Sequence, residues 1–264
     1  MDRLANDKAE NRYRAPALDK GLDIVELLAG FVDGMTLGEI ARALDKSQSE
    51  IYRMITTLVR RGYVVRSAED DRFSLSLKMF AVSQRHAPVN RLLDVARPKM
   101  RTLALHAWQS CHLAMENNGD IVIVSSAESP GNWALGLRVG SVVGLWNTGS
   151  GRVLAAFRSE DELEELLNRH RPALGEPELD RDELMRHLER VRRNGYERMP
   201  SSATVGVTNM AYPVMDENGR AVAAVTCPYL ERIDEFEVPS VDKVHAMLTE
   251  LAAELSAFYC GEMG

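Results

Sequence analysis

The chain has 264 residues, of which 45% are hydrophobic and 27% charged, and its formal net charge is -7. This composition is typical of a soluble globular protein of one large or two ordinary domains, and it excludes a disordered chain. No stretch reaches the roughly 18 consecutive apolar residues of a membrane helix. The N-terminus lacks the apolar core of a signal peptide. Cys111, Cys227 and Cys260 indicate neither a disulfide framework nor a zinc pair. We therefore expect a cytoplasmic protein with no membrane partner and no cofactor.

The negative charge argues against nucleic acid as a partner only if it is evenly spread, and it is not. Residues 1–85 hold 14 Lys and Arg against 13 Asp and Glu, whereas the remaining residues hold 18 against 26. Residues 46–66 alone hold five basic residues and one acidic residue. Positive charge is therefore concentrated in one short segment of an acidic protein.

The first elements are predicted from capping residues. Residues 1–17 are polar and predict a flexible arm, after which Asp19 is predicted to cap a first helix. Capping boxes at residues 36–39 and 47–50 begin two further helices, and Gly62 ends the second of these. Two short helices at this spacing indicate a helix-turn-helix, in which the second helix reads DNA.

The predicted reading helix has one apolar face and one polar face. The polar face carries side chains that reach phosphates or base edges, instead of the Glu and Lys of an ordinary solvated surface. The predicted DNA contacts on and just before this helix are Lys46, Ser47, Gln48, Ser49, Tyr52, Arg53, Thr56, Thr57 and Arg60.

Two short strands around a polar turn follow and predict a β-hairpin, which adds Arg66 and Arg72 to the predicted DNA contacts. Three helices and a hairpin predict a winged helix-turn-helix over residues 18–76. The alternative is a small helical domain that contacts protein.

Residues 18–80 resemble the DNA-binding domain of the IclR-type transcriptional regulators. The resemblance is carried, in order and spacing, by Leu18-Asp19-Lys20-Gly21-Leu22-Asp23-Ile24, residues 36–44, Ser47, Ile51-Tyr52-Arg53, Leu58, Arg61-Gly62-Tyr63-Val64 and Phe73-Ser74-Leu75. It implies that the helix from Ser47 enters the major groove of an operator and that the turn at residues 69–72 is the wing.

The next segment is predicted to be a linking helix over residues 77–90. A further amphipathic helix follows over residues 92–107, in which Pro98 is expected to cause a bend or a split. Alternating patterns then predict two hairpins, around the turns at residues 117–120 and 216–219. Between and after the hairpins we expect two charged helices capped near Ser159 and Asp180, and a final helix over residues 241–259.

Residues 91–264 are accordingly predicted to form an effector-binding and oligomerisation domain. Most of residues 90–260 resemble the effector domain of the same family, through segments that include Arg138-Val139-Gly140, Thr148-Gly149, Gly151-Arg152, Arg192-Arg193-Asn194-Gly195-Tyr196 and Gly206-Val207. The resemblance implies a GAF-like α/β domain with an antiparallel sheet, and the fold class of the whole chain is α+β.

The stretch Gly149-Ser150-Gly151 follows an apolar strand and opens a predicted helix. Bare backbone N–H groups beside a helix N-terminus make an anion site that suits a carboxylate. The alternative is a simple glycine turn into a helix. The predicted effector-binding residues are Trp133, Leu145, Trp146, Asn147, Thr148, Gly149, Ser150, Gly151, Met199, Asn209 and Thr226.

Several of these positions depart from the pattern of the family. Trp146-Asn147 stands where His-Ala is common, Thr208-Asn209 where Arg-Cys is common, and Met199 where an acidic residue faces the ligand. These departures imply a less acidic and more aromatic pocket, which favours a small carboxylate with an apolar or aromatic body.

The sequence thus predicts a ligand-responsive transcriptional regulator. Its expected partners are double-stranded operator DNA, a small-molecule effector and itself, as a homodimer or homotetramer. One alternative is a small-molecule-processing enzyme with an appended helical domain, but no convergent catalytic or metal-binding cluster is evident. Another is that residues 91–264 serve oligomerisation alone.

Overall fold

A computed structural model describes residues 15–85 and 87–263. It divides into two compact units at the Ala87–Pro88 peptide bond. Most of the predicted arm, residues 1–14, lies outside the described residues. No helix in the described part of the chain is both long and apolar enough to cross a membrane.

The N-terminal unit is a winged helix-turn-helix. Its elements are α1 (Pro16–Ala29), α2 (Leu37–Ala43), α3 (Gln48–Arg60), β1 (Val64–Arg66), β2 (Phe73–Leu75) and α4 (Lys78–Ser83). The strands β1 and β2 pair antiparallel and form the wing. Ile24, Ile40, Ile51 and Ile55 are fully buried where the three helices meet, so the apolar stripe of α3 is committed to the core and its other face is free for solvent or a partner.

The start of α1 corrects the sequence prediction. The helix begins at Pro16 with Ala15 as its N-cap, and Asp19 lies in its first turn. Proline is well suited to the first helical position, because the N–H that it lacks would have no partner within the helix. The predicted arm is therefore too long by residues 16 and 17, and Asp19 is not the cap.

The C-terminal unit is a six-stranded antiparallel sheet between two layers of helices. Its elements are α5 (Ala87–Ala107), β3 (Cys111–Asn117), β4 (Asp120–Ala127), β5 (Val142–Val143), α6 (Gly149–Ala156), α7 (Glu160–Arg169), α8 (Arg181–Asn194), β6 (Glu197–Pro200), β7 (Val207–Met215), β8 (Ala221–Leu230) and α9 (Val241–Met263). The strand order is β5-β4-β3-β8-β7-β6.

Each face of this sheet buries its own core. Leu92, Met100 and Leu248 of α5 and α9 pack on one face, whereas Leu154 and Leu188 of α6 and α8 pack on the other. Neighbouring residues of a strand point to opposite faces. His112, Ala211 and Thr226, on β3, β7 and β8, therefore lie on the face toward α6.

The structure corrects the predicted linking helix and excludes one of the two outcomes expected at Pro98. The single linking helix predicted over residues 77–90 is replaced by α4, which ends at Ser83, and by the first turn of α5. Pro98 does not split the second helix, since α5 continues through it to Ala107. A proline removes one intrahelical hydrogen bond. The helix nevertheless continues, because the buried residues Ala96 and Met100 on either side of Pro98 pack against the sheet.

Candidate functional site

The start of the reading helix α3 is held by a complete capping box. The Ser47 Oγ accepts a hydrogen bond from the N–H of Glu50 at 3.4 Å, and the Glu50 carboxylate accepts one from the N–H of Ser47 at 3.2 Å. Lys20 of α1 donates to the same carboxylate at 2.6 Å. This contact with Lys20, followed by those with Ser47, lowers the pKa of Glu50 to about 2. The cap therefore stays charged at neutral pH and fixes where α3 begins.

The polar face of α3 is exposed along its whole length. The exposed predicted DNA contacts are Lys46, Ser47, Gln48, Ser49, Tyr52, Arg53, Thr56, Thr57 and Arg60. Tyr52 leaves 55% of its surface in solvent although it is a large aromatic residue. The structure thus brings all nine positions together on one accessible face.

The two threonines on this face are already hydrogen-bonded to the helix itself. Thr56 donates its hydroxyl hydrogen to the carbonyl of Tyr52 at 2.6 Å, and Thr57 donates to the carbonyl of Arg53 at 3.1 Å. Each hydroxyl retains only lone pairs for a partner. The two hydroxyls therefore suit hydrogen-bond donors on base edges. A phosphate accepts hydrogen bonds, so it needs a donor, and the hydrogen of each hydroxyl is already used within the helix.

The two wing arginines lie in different surroundings. Arg66 is exposed and pairs with Asp71 at 2.9 Å within the hairpin. Arg72 instead donates to the carbonyl of Gly34 at 3.0 Å and to the Glu39 carboxylate at 3.2 Å. Arg72 therefore joins the wing to the start of α2, a role that its position in the sequence does not reveal.

In the C-terminal unit, a cavity of about 470 Å³ opens at the N-terminus of α6. Its size is within the range of small-molecule sites. The predicted effector-binding residues that line it are Asn147, Thr148, Gly149, Ser150, Asn209 and Thr226. The Oγ1 of Thr148 caps α6 by accepting from the N–H of Gly151 at 3.1 Å.

The structure does not bring the other five predicted residues to this cavity. Leu145 is fully buried in the core. A side chain on Gly151 would collide with the carbonyl oxygen of Leu145. Trp146 packs edge-on against His170, with ring centroids 5.3 Å apart. Met199 is a buried residue of β6. Both glycines thus permit close packing, Gly149 beside Ala211 and Gly151 beside Leu145, but only Gly149 also lines the cavity.

Trp133 also lies outside the cavity, with 73% of its surface exposed. Neither tryptophan proposed for an aromatic pocket is therefore part of the wall. The apolar part of the wall is aliphatic instead, and it includes Leu135, Leu137, Val142, Leu174, Val207 and Pro228.

Sequence analysis missed a polar part of the wall that includes His112, Ser201 and Ser202. His112 lies on β3 directly opposite Thr226 of β8. Pairing the two predicted hairpins side by side would have found this neighbour, but the order of strands in a sheet is not a local property of the sequence.

A chain of hydrogen bonds crosses the polar wall. The Nε2 of His112 lies 3.3 Å from the Oγ of Ser150, which lies 2.9 Å from the Oγ1 of Thr226. Burial lowers the pKa of His112 to about 4, so the ring is neutral at pH 7. Among the described residues, those that line the cavity include no Lys, Arg, Asp or Glu. An anion here would be bound by backbone N–H groups, hydroxyls and the helix dipole.

Comparisons with known proteins agree with both units. The family described as "IclR helix-turn-helix domain" matches residues 17–68, and "Bacterial transcriptional regulator IclR C-terminal" matches residues 85–257. The regulator KdgR of Escherichia coli (strain K12) is 26% identical over 82% of this chain and 84% of its own. The regulator BhcR of Paracoccus denitrificans is 27% identical over 83% of this chain and 78% of its own.

A solved structure has the same fold. An IclR homolog from Microbacterium hydrocarbonoxydans, complexed with 4-hydroxybenzoate, superposes with a TM-score of 0.76 at 22% identity, over 92% of this chain and 98% of that one. The curated relatives are named as transcriptional regulators and not as enzymes, which removes the support for the enzyme alternative. This chain belongs to the IclR family of bacterial transcriptional regulators, with an N-terminal DNA-binding domain and a C-terminal effector-binding domain.

Proposed function

We propose that this regulator senses a small organic acid with an apolar body, bound in the cavity at the start of α6. The observation that carries the proposal is the meeting of a helix N-terminus with an aliphatic wall in one cavity of about 470 Å³. The N–H groups and hydroxyls suit the carboxylate, and the aliphatic side chains suit the body. The homolog complexed with 4-hydroxybenzoate supports an acid of this size.

On the DNA side, we propose that the exposed face of α3 contacts base edges and phosphates. Lys46, Ser47, Gln48, Ser49, Tyr52, Arg53, Thr56, Thr57, Arg60 and Arg66 are the proposed contacts, and Arg72 acts through the placement of the wing. One reading helix covers few base pairs, so specificity requires a homodimer or a larger homo-oligomer on a two-part operator. We place this regulator in the cytoplasm, where the operator is.

The effector must bind the DNA-competent and DNA-incompetent states unequally, because only a difference in affinity shifts their equilibrium. A direct test begins with operator DNA selected from random duplexes by the full-length protein. Fluorescence anisotropy then measures DNA affinity with and without benzoate or 4-hydroxybenzoate. We expect saturating acid to change the DNA Kd by about fivefold or more.

Thr226→Val removes one hydroxyl from the wall at nearly constant volume, and it should weaken acid binding while DNA affinity without acid stays the same. Thr208→Val is the matched control, because Thr208 is on β7 but does not line the cavity. If no acid changes the melting temperature or the DNA affinity, the sensing proposal is wrong and the C-terminal unit serves oligomerisation alone.

A further inference from the structure

The rim of the cavity includes a loop that is held in place by side chains. Residues 170–180, which we call the rim loop, connect α7 to α8, and none of them lies in a helix or strand. Leu174 and Gly175, in the middle of the rim loop, line the cavity, and Leu174 is fully exposed. Since the loop has no backbone ladder of its own, its position at the cavity depends on contacts with other segments.

One buried carboxylate holds the rim loop against the segment that leads into α6. The Oε1 of Glu176 accepts hydrogen bonds from the N–H of Leu145 at 2.5 Å and from the N–H of Trp146 at 3.2 Å. Its Oε2 accepts from the N–H of Ala173, within the loop, at 2.8 Å. The Glu176 side chain is 0% exposed. Residues 147–150, which follow directly, line the cavity, so this carboxylate fixes two parts of the wall relative to each other.

His170 lies between this carboxylate and the turn that connects β3 to β4. Its Nε2 is 2.9 Å from the Oε2 of Glu176, and its Nδ1 is 2.7 Å from the carbonyl oxygen of Gly119. The His170 side chain is 2% exposed. Both ring nitrogens therefore face oxygen atoms in a site that water hardly reaches.

The donors in these contacts follow from the chemistry of the groups. A carbonyl oxygen only accepts, so the Nδ1 of His170 carries a hydrogen. The backbone N–H groups at Glu176 only donate, so the contact between Nε2 and Oε2 needs a hydrogen of its own. Whether the imidazole or the carboxyl group carries it, the pair holds one proton more than a neutral histidine and a carboxylate. Without that proton a nitrogen lone pair faces a carboxylate oxygen, and the contact is repulsive.

The other charged groups of the surrounding segments do not replace this proton. Glu116, on the hairpin of β3 and β4, pairs with Arg158 at 2.5 Å, and Arg169 pairs with a carboxylate of its own helix. The remaining charged side chains of the turn and the rim loop are Asp120, Arg171, Glu178 and Asp180. In the described part of the chain, neither His170 nor Glu176 forms an ion pair with any of these.

We propose that His170 and Glu176 are positioning residues of the cavity, and that the proton between them keeps the rim loop against the segment before α6. At higher pH the pair loses this proton. The Glu176 carboxylate is then buried beside a neutral ring, and a buried charge without a partner is unfavourable, so the rim loop opens. The opening does not depend on the ligand, whereas its effect on effector affinity rests on the proposed function.

Hydrogen-exchange mass spectrometry of the full-length protein without ligand tests the opening. The N–H groups of Leu145, Trp146 and Ala173 are protected while they donate to Glu176. Exchange rates at about pH 6 and about pH 9 are divided by those of unstructured peptides, which removes the intrinsic effect of pH. We expect protection in these segments to fall about fivefold or more between the two pH values, while protection of β7 and β8 stays the same.

Two substitutions in the pair and one control identify the proton. His170→Gln places an amide NH2 near the position of Nε2, where it donates to Glu176 at every pH, so protection should no longer depend on pH. Glu176→Ala removes the acceptor and should give low protection at both pH values. His106→Gln, at an exposed histidine of α5, should keep the pH dependence of wild type. Circular dichroism shows whether each variant is folded.

Isothermal titration calorimetry with benzoate at the same two pH values tests the consequence for the effector. Benzoate is ionised at both, so its own charge does not change. We expect wild type to bind benzoate about fivefold or more weakly at the higher pH. The His170→Gln variant should bind it equally at both.

Four results separate this inference from the proposed function. Equal protection of wild type at both pH values would overturn the inference and leave acid binding standing. A pH dependence that persists in folded His170→Gln assigns the proton to another group, which also overturns it. Benzoate affinity that stays constant although the loop opens would overturn the positioning role. If protection changes as expected but neither benzoate nor 4-hydroxybenzoate binds, the pair controls the loop and the proposed function is wrong.

Discussion

The helix α3 and the C-terminal unit hold their polar side chains in opposite surroundings. On α3 the polar groups are exposed and bonded locally, as Thr56 is to the carbonyl of Tyr52 four residues before it. In the C-terminal unit they are buried and bonded to residues far away in the sequence, as Ser150 is to Thr226 and Arg152 is to Glu197. A surface built on local bonds tolerates side-chain replacement, whereas a buried network loses stability when one member is removed.

The largest effect is expected from the ion pairs of the buried Glu197 in the C-terminal unit. Glu197 is 1% exposed and accepts from Arg152 at 3.2 Å and from Arg190 at 3.0 Å. Glu197→Ala leaves the buried Arg152 without its anion and should lower the free energy of unfolding by about 3 kcal/mol. Urea unfolding measures the loss.

The control for this prediction is Glu165→Ala, which breaks the exposed pair with Arg169. Exposed pairs contribute little, so about 0.5 kcal/mol or less is expected. Equal losses in the two variants would remove the contrast between buried and exposed networks.

The second effect is a pH dependence of stability that arises from His112. Its pKa is about 4 when folded, against an ordinary value of 6.5, so the unfolded chain binds more protons between these pH values. Stability is therefore lost as the pH falls from 6.5 toward 4, by about 2 kcal/mol between pH 7 and pH 4.5. His112→Gln should lose this contribution. Parallel pH curves for the two proteins would show that His112 is not the group responsible.

The third effect concerns DNA and not stability. Arg53 is exposed on α3, so Arg53→Ala should weaken operator binding by more than about 1 kcal/mol while the melting temperature hardly changes. A gel-shift titration on the selected operator measures it. Arg169→Ala, a replacement of an exposed arginine in the C-terminal unit, should leave the affinity as it is. Unchanged affinity for both variants would mean that the reading face is assigned wrongly.

The smallest effect tests a residue with two proposed roles. Ser47→Ala removes the N-cap of α3 and should cost about 1 kcal/mol of stability, whereas Ser47→Asp keeps an acceptor for the N–H of Glu50. Ser47→Asp also adds a negative charge beside the proposed phosphate contacts. We therefore expect thermal unfolding near that of wild type and weaker DNA binding. Full DNA affinity in Ser47→Asp would limit Ser47 to capping.

Prediction from the sequence was most accurate where the determinants are local. The capping boxes at Thr36 and Ser47, and the apolar stripe with Ile51 and Ile55, are sufficient to place α2 and α3, because caps and helical periodicity act within one or two turns. The Asn-Gly turn at residues 118–119 likewise places the hairpin of β3 and β4.

The Gly-Ser-Gly motif at a helix N-terminus, strengthened by the resemblance to the family, predicted a site at the start of α6, and six of the eleven proposed residues line the cavity there. The orientation of individual side chains was beyond it. Gly149 and Gly151 are two residues apart, yet only Gly149 faces the cavity, because the other packs against the carbonyl of Leu145.

By itself, the sequence determined the division into two units, the position of the reading helix and the polar character of its exposed face. These three features follow from caps, periodicity and charge within short windows. Only the tertiary structure decided which residues line the cavity at the start of α6. His112 and Thr226 are 114 positions apart in the chain and become neighbours because β3 pairs with β8. The burial that keeps His112 neutral, and its contact with Ser150, exist only once that sheet and α6 have come together.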